Sequence, residues 1–186
     1  MKVFTRKFSR AVACALLTLS AVASISARAD TVTVTAKGAI APTCSISSTK
    51  DFGSSNINIP GSATATATVT CNQTFKMNAS SANGAIKSSV AASAPYTNTL
   101  PYSLKADIAL DNGSTSTAMC PSSSLVSGQS VCQLSPANSA GLTSNGQIAT
   151  GKTTTLTMSW TPPASPTFLK PGSYSDSITL TIAVVP

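Results

Sequence analysis

Residues 102–110 read Y-S-L-K-A-D-I-A-L, and D-N-G follows at 111–113. Tyr102, Leu104, Ala106, Ile108 and Leu110 fall on one side of an extended chain, and Ser103, Lys105 and Asp107 on the other. Strict period-two alternation is the pattern of a strand with one buried and one wet face. Asp111-Asn112-Gly113 ends it with residues that tolerate positive φ and so suit a tight turn. The same period recurs outward in both directions. Ala63, Ala65, Ala67, Val69 and Cys71 alternate with threonines; Leu156, Met158 and Trp160 alternate with Thr and Ser; Ile178, Leu180, Ile182 and Val184 alternate with Ser177, Thr179 and Thr181. No convincing helical run interrupts them. Several half-buried strands need a shared core, and the expected fold class is all-β, two sheets packed as a sandwich. Asn83-Gly84 and the stretches 122–128, 140–146 and 162–171 suit the connections, while 79–99 carries no firm expectation.

The first 29 residues read as a removable export signal. Lys2, Arg6, Lys7 and Arg10 precede an apolar run from Ala11 to about Ile25, and Ala27-Arg28-Ala29 gives the small-x-small cleavage pattern. Cleavage after Ala29 leaves 157 residues, one domain with room for a core. It also removes five of the twelve basic residues, so seven lysines face five aspartates and the mature charge is near +2. The lysines are scattered singly, which argues against nucleic acid as a partner. The mature stretch has no His and no Glu, so general acid–base catalysis has little to work with, and no G-x-S-x-G elbow or phosphate-cradling loop is present. The expectation is a protein that is not an enzyme and needs no cofactor or metal. Asp111 reads as turn chemistry, Asp176 as a last-strand residue that could neighbour a lysine and has no catalytic role, and Trp160 and Tyr174 as core. The N-x-S/T matches at Asn72, Asn78 and Asn112 read as chance in a Ser/Thr-rich chain.

Four cysteines follow the signal: Cys44, Cys71, Cys120 and Cys132. An even number in an exported chain reads as two disulfides, and of the three pairings the sequential one, Cys44–Cys71 with Cys120–Cys132, is favoured. The segment before the first cysteine, D-T-V-T-V-T-A-K-G-A-I-A at 30–41, is itself a strand pattern. Val32, Val34, Ala36, Gly38 and Ile40 share one face, and Thr31, Thr33, Thr35 and Lys37 the other. Such a tail frays unless it is paired. Pattern alone leaves two partners open: the chain's own sheet, or an incomplete sheet of another copy.

With strands and cysteines placed, the chain resembles subunits of chaperone–usher pili, nearest the archaic, Csu-type subunits and the related spore coat protein U domain. The resemblance rests on the alternating N-terminal strand, T-C-S-I-S-S at 43–48, D-F-G at 51–53, V-T-C at 69–71, P-Y-S-L at 101–104 and G-S-Y-S-D-S-I-T-L-T-I at 172–182. It implies an incomplete immunoglobulin-like β-sandwich completed by donor-strand complementation. Residues 30–41 are then a donor strand, with Val32, Val34, Ala36 and Ile40 as its plugs, and 42–186 the pilin domain. Ile178, Leu180 and Ile182 line part of the acceptor groove. The implied partners are a periplasmic chaperone, an outer-membrane usher and neighbouring subunits. The implied location is a surface fimbria that serves adhesion and biofilm formation. A self-complete secreted adhesin and a spore-coat protein of the same fold are the alternatives. The chain departs from the family pattern in ending Ala-Val-Val-Pro, without an aromatic residue, and in its second cysteine pair.

Overall fold

The computed structural model describes residues 37–185. Its strands, in chain order, are β1 (Cys44–Lys50), β2 (Gly61–Cys71), β3 (Phe75–Ser81), β4 (Ile86–Lys87), β5 (Tyr96–Thr97) and β6 (Thr99–Leu100). Then come β7 (Tyr102–Ala109), β8 (Thr115–Pro121), β9 (Leu142–Thr143), β10 (Ala149–Trp160), β11 (Phe168–Leu169) and β12 (Ile178–Val184). A short 3-10 turn at Ser122–Leu125 is the only helical element among the described residues. The fold is an all-β sandwich. One sheet is five-stranded, in the order β1-β2-β10-β7-β8, and the facing sheet is β12-β3-β9. Every neighbouring pair in both is antiparallel.

The alternation at 102–110 becomes the core face. Leu104, Ala106 and Ile108 on β7 are fully buried, as are Val69 on β2 and Phe75 and Met77 on β3. Their period-two neighbours face water, which is what locks the register: a slip of one residue would turn each apolar set outward. β3 and the small strands β4 to β6 occupy 79–99, the stretch without a firm sequence expectation. Cys44–Cys71 and Cys120–Cys132 are both disulfide-bonded. The first joins directly opposed residues of β1 and β2. The second pins the loop after β8, which buries Leu125 and Leu134 completely.

That loop closes one side of the sandwich. The Leu134 carbonyl accepts from the Ala79 amide at 2.8 Å, Asn78 Nδ2 donates to the Ser135 and Asn138 carbonyls, and Ser116 Oγ on β8 donates to the Thr143 carbonyl on β9 at 2.6 Å. On the opposite side, between β1 and β12, no such closure is formed by the described residues. Asp30–Ala36, with Val32, Val34 and Ala36, lie outside the described residues. Lys37–Thr43 form no strand, and Ile40 is 90% exposed.

Among the buried hydroxyls of the described residues, that of Thr154, fully buried on β10, stands without a hydrogen-bond partner. An unpaired buried hydroxyl costs about 1–3 kcal/mol. Thr154→Val keeps the branched shape and removes that cost, so it is expected to raise stability by about 1 kcal/mol, read as a higher urea midpoint at unchanged slope.

Candidate functional site

The open side of the sandwich is a groove. Among the described residues β1 pairs only with β2, and β12 only with β3, so each turns its other edge to the gap between the sheets. One half of the gap holds about 490 Å³ and is lined by Ile46, Phe52, Ala65, Ala67, Leu156, Ile178 and Leu180 together with the polar Ser48, Asp51, Thr66, Asp176 and Ser177. The other, also about 490 Å³, is lined by Phe52, Ile57, Ala63, Ile86, Met158, Trp160 and Tyr174 together with Ser54, Ser55, Ser173, Ser175 and Asp176. The depth has a sequence cause. On β2 the positions that face the gap are alanines, Ala63, Ala65 and Ala67, where larger residues would fill it. Trp160 lies flat against the start of β2 because residue 61 is glycine: a Cβ there would stand 3.0 Å from the indole Cζ2. The indole Nε1 donates to the Ile59 carbonyl at 3.1 Å and is held in place.

Ile178 and Leu180 line the first half of the gap. Ile182 continues the same face of β12 and packs against the core without lining either half. Sequence reasoning did not connect Ile46, Phe52, Ile57, Met158, Trp160 and Tyr174 to the groove. Trp160 is buried, as expected for a core residue, yet it and Tyr174 also form the wall of the second half.

Asp176 needs a correction. It precedes β12 by two residues, and among the described residues the ion pairs are Lys105–Asp107 and Lys152–Asp111, so it forms no ion pair, although the backbone of Lys87 bridges that of the adjacent Ser175. Instead it lines both halves of the groove at their junction. Its Oδ2 accepts from Tyr102 Oη and Ser81 Oγ, both at 2.6 Å, and its Oδ1 from the backbone amides of Ser177 at 2.9 Å and Asn83 at 3.1 Å. Tyr102 stands on β7 of the five-stranded sheet and Ser81 on β3 of the facing one, so one carboxylate ties the two layers together at the mouth of the gap. Burial, then the hydrogen bond to Asp176, pushes the Tyr102 hydroxyl well above the ordinary tyrosine range.

Elsewhere the carboxylates serve turns and sheet faces. The Thr150 amide and hydroxyl donate to Asp111 and, with Lys152, hold it below the usual carboxylate range. Burial pushes Asp107 upward, but hydrogen bonds from Lys105 and Thr117 outweigh it and leave the group lowered. No cluster of His, Cys, Asp or Glu among the described residues is arranged to hold a metal ion. Comparison with family models, curated proteins and solved structures returned no match.

Two outcomes follow for the Asp176 pin. Asp176→Ala strands the buried Tyr102 hydroxyl and is expected to cost about 2 kcal/mol in urea unfolding, with Asp176→Asn costing less. Because the fold holds Tyr102 neutral, the unfolded chain loses that proton first as pH rises. Stability is therefore expected to fall above about pH 10, and Tyr102→Phe to flatten that fall in thermal melts.

Proposed function

We propose that the chain is the structural subunit of a surface fibre of the chaperone–usher kind, in which residues 31–41 of one copy complete the sandwich of the next. The observation that carries this reading is the pair of strand edges, unpaired among the described residues, that face each other across a groove with aliphatic walls at Ile46, Ile178 and Leu180 and a mixed polar and apolar lining. A β12 edge without a ladder partner, beside exposed apolar walls, is an aggregation hazard in an isolated chain. A strand laid between β1 and β12 satisfies both edges and covers the walls. Burying three or four aliphatic side chains in this way stabilises by at most about 1.5–3 kcal/mol each, with the new ladder in addition.

The residues also match in register. The groove-side positions leading into and along β12 are Tyr174, Asp176, Ile178, Leu180 and Ile182, spaced by two; those of the donor segment are Val32, Val34, Ala36, Gly38 and Ile40. Run antiparallel, Gly38 meets Asp176, Ile40 meets Tyr174, and Val34 meets Leu180. Run parallel, Val34 would lie on the Asp176 carboxylate and Gly38 would leave Leu180 uncovered. The antiparallel direction also gives a head-to-tail contact that propagates, whereas the parallel one brings two identical ends together and closes a dimer. In this reading a periplasmic chaperone fills the groove before assembly, an outer-membrane usher is the place of exchange, the fibre serves adhesion, and the chain is not an enzyme.

The test is the exported protein on gels, heated and unheated, with and without residues 30–41. A ladder that collapses on heating and vanishes on truncation is expected. A stable folded monomer, made without a chaperone, would instead support a self-complete binding domain. Val34→Arg is expected to abolish the ladder while leaving the domain folded. Gly38→Leu is expected to weaken it through the clash with Asp176, and Ala39→Leu, on the opposite face of the donor, to leave it intact.

A further inference from the structure

We infer that consecutive copies in such a fibre also stack end on end, the Cys44–Cys71 end of the donor copy seating on an apolar surface formed by Val90, Tyr96 and Phe168 of the acceptor. The inference rests on the strand-donation reading and adds a second, non-strand interface to it. It starts from the tether. Between Ile40, the last plug, and Cys44, the first residue of β1, stand only residues 41–43. Four residue steps span at most about 14 Å. The tether is also held: Asn72 Nδ2 donates to the Ala41 carbonyl at 3.0 Å, and Asn72 Oδ1 accepts from the Thr43 amide at 2.8 Å. The chain thus leaves the donor body at a fixed place, beside the Cys44–Cys71 disulfide.

The acceptor supplies the matching end. Gly61, Tyr102 and Trp160 are in register at one end of the five-stranded sheet, and Cys44, Cys71 and Ala149 at the other. With Ile40 at Tyr174, the donor strand leaves the groove at the Trp160 end. Tyr174 Oη donates to the Thr97 and Lys170 carbonyls, at 3.1 and 2.9 Å, so this mouth lies one side chain from the β5–β11 pair. That pair carries the exposed rings of Tyr96 and Phe168, 48% and 51% accessible, with centroids 6.5 Å apart. Val90, also exposed, is joined to the segment after β5, since Asn98 Nδ2 donates to its carbonyl at 3.1 Å. A tether this short cannot hold the donor body clear of the surface. On the donor, Ile148 is the exposed apolar residue of the facing end: its carbonyl accepts from Asp111, and it precedes Ala149, the register partner of Cys71.

The experiment is hydroxyl-radical footprinting of the full chain, comparing the assembled polymer with the Val34→Arg chain. Stacking predicts that Tyr96 and Phe168 are modified about threefold or more slowly in the polymer, as burial of an exposed ring requires. Met119, 68% exposed on β8 and away from both ends, is expected to react equally in the two samples. Equal reactivity of Tyr96 and Phe168 in polymer and monomer, with the gel ladder present, would overturn the stacking and leave strand donation standing. Absence of a ladder in the unmutated chain would overturn both. Phe168→Ser with Tyr96→Ser gives an independent reading: the ladder is expected to persist while fibres seen by electron microscopy become shorter and more sharply bent. Fibres of unchanged length and straightness count against the interface.

Discussion

A strand in a sheet has two hydrogen-bonding edges, and a sandwich has two sides on which those edges must be covered or left open. In this protein the two sides are treated differently. At β8 and β9 the disulfide-pinned loop, the Leu134 carbonyl and the Ser116–Thr143 contact seal the layers. At β1 and β12 the strands approach each other with no ladder between them among the described residues, and the gap carries both apolar and polar side chains. The alanine row on β2, the half-buried Ile178 and Leu180, and the placement of Trp160 all sit on this open side.

A gap lined by apolar side chains tends to close on itself, and Asp176 opposes that. Its acceptors are taken by hydroxyls from both layers and by two amides, so the carboxylate is bound without a cation partner among the described residues. Charge-assisted hydrogen bonds of this kind are roughly twice as strong as neutral ones and fix direction as well as distance. The polar group therefore fixes the spacing of the layers where the two halves meet, while the disulfide fixes the far end of β1.

Much of the sandwich was legible in the sequence because period-two alternation reports directly on which face is buried. Tyr102–Leu110, Ala63–Cys71, Leu156–Trp160 and Ile178–Val184 all became strands with the expected side inward. The sequential cysteine pairing was legible from their number and order. The groove walls were less so, because a wall depends on which strands are neighbours. Ile46 and Leu156 are distant in sequence and look like any other core residues. Trp160 and Tyr174 carried the right signal, an aromatic ring with a polar tip, but the same signal serves a core. Asp176 was misplaced because a carboxylate in a Ser-rich run shows nothing of its partners: Tyr102 is 74 positions away and Ser81 is 95. Asn72 looked like a chance sequon, and its two bonds to the tether depend on the turn after β2.

The Cys44–Cys71 bond has a mechanical meaning. Any pull on residues 41–43 arrives at Cys44, the first residue of an edge strand, where hydrogen bonds would normally peel off one pair at a time. Here that residue is joined covalently to the last residue of β2, which is flanked by β1 on one side and the long β10 on the other. Tension therefore bypasses the weak edge and enters the interior of the sheet along the strand axis, loading many rungs in shear at once rather than one in opening.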